Sequence, residues 1–183
     1  FYFSINHGVP RELIQRAYDQ LRKLFALPEE EKLKLKVNKA GLGYIPPKSS
    51  IYVTSPVNQN TMPDLNEVIL TARERPADHP SIVAGRRFTG PNKWPNETLV
   101  PGYRETLLEY YAVMEAFGYK MLPVYARALG LPADYFEPFF IDPTWTTRNA
   151  HYPPAQAEDN QFGIAPHRDH GFITLLPLSD EPG

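Results

Sequence analysis

Cysteine is absent from the 183 residues of this sequence. The absence excludes disulfide bonds, thiolate-bound zinc, iron–sulfur clusters and thiol nucleophiles, and it leaves His, Asp and Glu as the strong metal ligands. Long apolar runs are also missing, since none approaches the roughly 18 residues of a membrane-spanning helix. No charged leader followed by an apolar stretch opens the chain. We therefore expect no membrane association and a cytoplasmic location.

Neither sign of charge is in excess. The sequence has 19 Lys and Arg residues against 21 Asp and Glu residues, which gives a net charge of −2. A nucleic-acid partner is disfavoured because no basic surplus is available to neutralise phosphates. Apolar residues make up 42% of the chain, which is enough for a hydrophobic core.

Helices are predicted in three places. A first helix near the amino terminus has an apolar stripe, and a short charged helix starts at Pro28. The longest predicted helix covers about residues 101–129, with Pro123 as a candidate kink. The apolar stripes consist of Leu13, Ala17, Leu21 and Leu24 in the first helix and of Leu107, Tyr111, Met114, Gly118, Met121, Tyr125 and Leu129 in the longest one.

Strands are predicted mainly towards the end of the sequence. Residues 144–152, 163–169 and 172–178 have strand-like patterns, and the aromatic run 1–6 predicts one strand at the start. Prolines and glycines recur through residues 39–101, which predicts loops and short strands there. The order is therefore helices first and sheet last.

The densest group of candidate metal ligands is the run His167, Arg168, Asp169 and His170. Side chains alternate along a strand, so His167 and Asp169 are expected to project from the same face. An imidazole and a carboxylate so placed can share one metal ion. Together with one distant His, they would form the 2-His-1-carboxylate site of non-haem Fe(II) enzymes.

Two other known motifs contain the same residue types. A protein-kinase catalytic loop needs Asn where Thr174 stands, and a di-zinc hydrolase needs His where Ala165 stands. Neither motif is therefore complete. The remaining alternative is a charged edge strand with incidental histidines.

Five segments resemble one known family. They are Phe-Tyr-Phe-Ser-Ile-Asn-His-Gly-Val-Pro (1–10), Gly-Tyr-Ile-Pro-Pro (43–47), Gly-Pro-Asn-Lys-Trp-Pro (90–95), His-Tyr-Pro-Pro (151–154) and His-Arg-Asp-His-Gly-Phe-Ile-Thr-Leu-Leu (167–176). In this order and rough spacing they resemble the isopenicillin N synthase-like family of Fe(II)- and 2-oxoglutarate-dependent oxygenases. The resemblance extends over essentially the whole chain.

The resemblance implies an α+β fold in which amino-terminal helices buttress a double-stranded β-helix, the cupin-like jelly roll. It implies a non-haem dioxygenase amino-terminal region at residues 1–96, connecting helices at 97–143 and the start of the catalytic jelly roll at 144–183. The sequence starts without Met and ends on a turn signal directly after an apolar run. We therefore expect a fragment that is truncated within the jelly roll.

The resemblance also implies the site residues. His167 and Asp169 match two iron ligands, and Tyr152 matches a tyrosine that holds the distal carboxylate of 2-oxoglutarate. Arg148 lies four positions before Tyr152 in a predicted strand, so both side chains could line that pocket. His151 should point to the opposite face of the strand and is not expected to bind the metal.

The implied cofactors are Fe(II), 2-oxoglutarate as co-substrate and O2, and the implied substrate is a small molecule. The second His ligand and the Arg-x-Ser motif of the family would lie beyond the last residue, so the fragment alone is expected to be inactive. Three other functions stay open: a 2-oxoglutarate-independent oxidase, an ethylene- and succinate-forming enzyme, and a noncatalytic jelly-roll binding module. The sequence does not indicate the oligomeric state.

Overall fold

The structure is a computed structural model, and it describes residues 2–51, 55 and 57–177. Two helices are followed by two strands, then by two more helices and a last strand, and the three strands form one sheet. The expected order of helices first and sheet last was therefore wrong, because two strands precede the longest helix. The elements are α1 (Arg11–Phe25), α2 (Glu29–Leu33), β1 (Gly43–Ile45), β2 (Glu67–Ala72), α3 (Pro80–Val83), α4 (Tyr103–Ala128), a 3-10 turn (Glu137–Phe140) and β3 (Thr146–His151).

Helices α1 and α4 pack against each other and form most of the core. The predicted stripe of α1 is confirmed, because Leu13, Ala17 and Leu24 are buried. The predicted stripe of α4 is confirmed only in its first half, where Leu107 and Tyr111 are buried, whereas its members from Met114 to Tyr125 are half-buried. The helix continues through Pro123 to its end, and Leu129, which was expected to belong to the stripe, lies just beyond it and is exposed. The buried residues of α4 are Tyr103, Thr106, Leu107, Tyr110, Tyr111, Leu122 and Ala126.

The sheet is antiparallel throughout, in the order β1, β2, β3. Its central strand β2 is buried on both faces, which fits the run Val-Ile-Leu at residues 68–70. Ile69 lies opposite Tyr44 of β1 on one side and opposite Asn149 of β3 on the other. The strand predicted at residues 144–152 is therefore confirmed as β3.

Three other strand predictions were wrong. Residues 2–6 and 172–177 form no strand, and Phe1 and Leu178 lie outside the described residues. Residues 163–169 are irregular, because Pro166 has no backbone N–H to donate to a ladder. Only β1, β2 and β3 form the sheet within the described part of the chain.

The loop prediction for residues 39–101 is confirmed, with the addition of the one-turn helix α3. Among the described residues, none of the helices combines the length and the hydropathy that crossing a bilayer requires.

Candidate functional site

His167 and Asp169 lie side by side on the segment that follows β3. The distance between His167 Nε2 and Asp169 Oδ1 is 3.4 Å. The expectation that a strand would align the two side chains was wrong, since the segment is irregular. The local turn nevertheless brings the imidazole and the carboxylate together.

A backbone contact determines which nitrogen of His167 carries hydrogen. Nδ1 lies 2.8 Å from the carbonyl oxygen of Ala165, and a carbonyl oxygen can only accept. Nδ1 therefore donates, and in the neutral ring Nε2 carries the lone pair that faces Asp169. A histidine that binds a metal through one nitrogen commonly donates from the other nitrogen in this way.

This pair fits a divalent first-row cation. A neutral imidazole nitrogen and a carboxylate oxygen are both ligand types that such a cation accepts. Ligand bonds of about 2.0–2.2 Å at a right angle place the two ligand atoms about 3 Å apart, close to the separation seen here. Among the described residues no group of three or more His, Asp or Glu side chains could hold a metal ion, so the pair could offer at most two ligands there.

The segment that leads to His167 is held by residues about a hundred positions earlier in the chain. The backbone N–H groups of Leu65 and Asn66 donate to the carbonyl oxygens of Phe162 and Gly163, at 3.0 and 3.1 Å. Side-chain amides add further bonds: Asn60 donates to Pro166 O at 3.0 Å and Gln161 to Pro63 O at 3.1 Å. These contacts fix the segment against the loop before β2.

Asp64 is the most deeply buried member of that loop, with 1% of its surface exposed. Its Oδ1 accepts a hydrogen bond of 2.9 Å from the backbone N–H of Ala165. Its Oδ2 is buried and has no hydrogen-bond partner in the described part of the chain. Burial raises the pKa of Asp64, although the Ala165 N–H and the charges of Arg148 and His167 act in the opposite direction.

Arg148 contacts Asn66 and Tyr152 contacts Gly163, and Asn66 and Gly163 are themselves joined by a hydrogen bond. Arg148, on β3, donates to Asn66 Oδ1 at 3.0 Å, and Asn66 Nδ2 in turn donates to Gly163 O. Tyr152 is half exposed, and its ring lies over Gly163 so closely that a Cβ there would be 2.9 Å from Cδ1. The structure thus brings the two predicted co-substrate residues to one place, beside the segment that carries His167.

His151 is turned towards a different partner, the buried Glu67. His151 Nδ1 lies 2.7 Å from Glu67 Oε1, and its ring stacks on Phe25 of α1. Glu67 Oε2 accepts from Lys32 Nζ at 2.7 Å and from the Tyr44 hydroxyl. Burial alone would raise the pKa of Glu67, but the hydrogen bonds from Lys32, Tyr44 and His151 outweigh it and lower the pKa below its usual 4.5.

Sequence reasoning missed Asp64, Asn66 and Glu67. A signal was present, since three polar residues directly precede or open the buried run at 68–70. No periodic pattern connects them to residues 148–167, because the contacts join distant parts of the chain.

Comparison with known proteins identifies the family. Residues 1–97, more than half of the chain, match the family described as "non-haem dioxygenase in morphine synthesis N-terminal". The chain belongs to this non-haem dioxygenase family. The resemblance to Fe(II)- and 2-oxoglutarate-dependent oxygenases drawn from the sequence motifs is therefore confirmed.

Curated relatives of this dioxygenase chain carry matching names. The 2-oxoglutarate-dependent dioxygenase tropC of Talaromyces stipitatus is 32% identical over 182 residues, which covers 96% of this chain and 55% of tropC. The 2-oxoglutarate-Fe(II) type oxidoreductase hxnY of Emericella nidulans is 35% identical over 189 residues, which covers 99% of this chain and 52% of hxnY. The chain thus spans about half the length of the curated relatives it matches.

Solved structures agree on the fold. A 2OG-Fe(II) oxygenase family protein from Caulobacter crescentus matches with a TM-score of 0.66 and 28% identity, over 81% of this chain and 45% of that protein. The structure of JOX2 in complex with 2OG, Fe and JA matches with a TM-score of 0.61 over 82% of this chain and 40% of JOX2. At 23% identity the JOX2 match supports the fold alone.

Proposed function

We propose that the complete protein is an Fe(II)- and 2-oxoglutarate-dependent oxygenase. It hydroxylates or desaturates a small molecule while 2-oxoglutarate is decarboxylated to succinate. The observation that carries this proposal is the separation of 3.4 Å between His167 Nε2 and Asp169 Oδ1, with Nδ1 held by a carbonyl oxygen. The names of tropC and hxnY support the same reaction class.

In this proposal His167 and Asp169 hold Fe(II) as two of its three protein ligands. The neutral imidazole and the carboxylate leave one positive charge on the ion and open positions for other ligands. Bound Fe(II) would supply the site at which O2 reacts with 2-oxoglutarate and then with the substrate. Ala165 keeps Nδ1 protonated through its carbonyl oxygen, so Nε2 stays available as the ligand atom.

Arg148 and Tyr152 are proposed to bind the distal carboxylate of 2-oxoglutarate. A guanidinium supplies the opposite charge, and a phenol hydroxyl supplies a further donor. Asn66 restrains Arg148, and the absence of a side chain at Gly163 makes room for the Tyr152 ring. The protein would therefore fix the co-substrate at a set distance from the metal.

We also propose that β3 belongs to a larger jelly roll, with α1 and α4 as its helical buttress. The sheet described here has three strands, and β3 pairs only with β2 among the described residues. The division at residues 96 and 143, between amino-terminal region, connecting helices and catalytic jelly roll, is part of this proposal.

The test is succinate release by the complete protein with Fe(II), ascorbate, O2 and 2-oxoglutarate. Wild type is expected to form succinate slowly even without its true substrate, and His167→Ala and Asp169→Ala are expected to lower the rate at least about 100-fold. The matched control is His170→Ala, because His170 is adjacent and exposed but is not part of the pair. It is expected to keep most of the activity.

Other outcomes point to the other functions. Fe(II) binding without succinate from the wild type would support an oxidase that takes all electrons from its substrate. Ethylene released along with succinate would indicate the ethylene-forming reaction. No Fe(II) binding at all would contradict the enzyme proposal and leave the noncatalytic binding module.

A further inference from the structure

We propose that Asp64 is a positioning residue for the iron-binding pair. Its carboxylate holds the backbone of Ala165, and Ala165 in turn holds the imidazole ring of His167. The inference rests on the proposed function, because it concerns the orientation of a side chain proposed to bind Fe(II).

Two consecutive hydrogen bonds connect Asp64 to the ring. The N–H of Ala165 donates to Asp64 Oδ1 at 2.9 Å, and the carbonyl oxygen of Ala165 accepts from His167 Nδ1 at 2.8 Å. The residue between Ala165 and His167 is Pro166, whose ring fixes its backbone φ angle. The connection therefore contains few rotatable bonds, and a displacement at Asp64 is passed on to His167.

The burial of Asp64 indicates a role other than stabilising the fold. A carboxylate that is 1% exposed and has one oxygen without a partner among the described residues costs free energy of folding. A shorter polar or apolar side chain would avoid this cost. The presence of a carboxylate at this position is explained if its oxygen must accept the hydrogen bond from the Ala165 N–H at a fixed distance.

Asp64 also lies between the two halves of the proposed site. It makes a hydrogen bond to the segment that carries His167, and it interacts electrostatically with Arg148, the residue proposed to bind 2-oxoglutarate. One buried side chain thus acts on both the metal side and the co-substrate side.

Other contacts should keep the segment in place when Asp64 is changed. Leu65, Asn66 and Gln161 hold residues 161–163 through bonds that do not involve the Asp64 side chain. An Asp64 variant is therefore expected to fold while losing the restraint on Ala165 and His167.

The test is anaerobic Fe(II) titration of the complete protein by calorimetry, together with thermal unfolding of the metal-free protein. Asp64→Ala is expected to weaken Fe(II) binding about 10–100-fold, the usual effect of removing a residue that orients a metal ligand. Asp64→Asn keeps an oxygen that can accept from Ala165, so its affinity is expected within about threefold of wild type. If only the negative charge of Asp64 mattered, Asp64→Asn would lose as much Fe(II) affinity as Asp64→Ala.

The matched control is Gln161→Ala, which removes another buried anchor of the same segment. Its unfolding midpoint is expected to fall while its Fe(II) affinity stays within about threefold of wild type, because the Ala165 bonds remain. Equal losses of affinity in Gln161→Ala and Asp64→Ala would contradict a specific role of Asp64.

The outcomes separate this inference from the proposed function. Unchanged affinity in Asp64→Ala overturns the inference if His167→Ala abolishes binding, and the proposed function then stands. If wild type does not bind Fe(II), or His167→Ala binds equally well, the proposed function itself fails. If Asp64→Ala does not fold, Asp64→Ser replaces it, because a serine is too short to reach Ala165. Wild-type Fe(II) affinity in Asp64→Ser would likewise overturn the inference.

Discussion

Glu67 is the residue at which four elements of the fold meet. Its two oxygens accept hydrogen bonds from Lys32 of α2, Tyr44 of β1 and His151 of β3, while Glu67 itself opens β2. Lys32 also donates to the carbonyl oxygen of Phe25 at the end of α1. A buried carboxylate with this many donors is stable only in its ionised form, which explains why its pKa is lowered despite burial.

Replacing Glu67 by Gln is expected to destabilise the protein by about 3 kcal/mol at pH 7, because Lys32 would remain buried without its counter-charge. The pKa of Glu67 is lower in the folded than in the unfolded state, so its contribution is complete above the unfolded value of 4.5 and disappears as the pH falls through the folded value. The difference between wild type and variant should therefore shrink below pH 4.5 in urea unfolding curves. A difference that is constant from pH 7 to about pH 3 would contradict this.

Glu109→Gln, at an exposed ion pair with Arg16, serves as the control and is expected to change stability by less than about 1 kcal/mol.

Single residues show how far sequence reasoning reached at the site. The proximity of His167 and Asp169 could be predicted because the two residues are only two positions apart. Asp64 and Asn66 could not, because they contact residues roughly a hundred positions later, and no local pattern records such a contact. The same limit applies to Glu67 and His151, which become partners only when β2 and β3 pair.

Among the elements, helices were predicted more accurately than strands. The stripes of α1 and α4 depend on neighbours three and four residues apart, which the sequence displays directly. Residues 163–169 alternate like a strand, yet Pro166 cannot donate to a ladder, and the segment is held by side-chain and scattered backbone bonds. A strand needs a partner, and the sequence does not show which partner is available.

The start of β1 gives a prediction at the scale of elements. Gly43 has a φ of +126°, and a Cβ there would lie 2.4 Å from the carbonyl oxygen of Leu35 and 3.0 Å from Val37 Cα. Because these are backbone atoms that cannot rotate away, Gly43→Ala is expected to cost more than about 3 kcal/mol and to separate β1 from the residues after α2.

The matched control for that prediction is Gly85→Ala. Gly85 also has a positive φ, +63°, but nothing lies within 4 Å of a Cβ at that position. Gly85→Ala is expected to lower the free energy of unfolding by only about 1 kcal/mol, because only the left-handed backbone conformation is unfavourable for alanine. Thermal unfolding of both variants measures the difference, and equal midpoints would show that the Leu35 and Val37 contacts do not matter.

At the scale of the whole molecule, a group of apolar side chains is exposed at the end of the 3-10 turn. We define the aromatic surface as the ring cluster around Phe172, in which the centroids of Phe136 and Phe140 lie 4.8 and 5.3 Å from it, together with the adjoining Phe139 and Ile141. Phe139 is 70% exposed and Ile141 is 81% exposed. The net charge of −2 provides little repulsion between copies of the chain.

The 183-residue chain is therefore expected to self-associate as its concentration rises. The double variant Phe139→Ser and Ile141→Ser should raise the monomer fraction in sedimentation velocity runs while leaving the unfolding midpoint nearly unchanged, since both side chains are exposed. Val83→Ser is the control, because Val83 is 74% exposed but lies on α3. Equal self-association of all three proteins would show that the aromatic surface is not the contact.

The long-range bond between Asp64 and Ala165 has a consequence for the order of folding. The two residues are 101 positions apart, so the loop that the bond closes contains all of β2, α3, α4 and β3. Closing such a loop costs chain entropy that has to be offset by other contacts formed earlier. During synthesis on the ribosome, Asp64 emerges well before Ala165 and His167. The proposed iron pair is thus expected to be assembled late, after the loop before β2 has been synthesised.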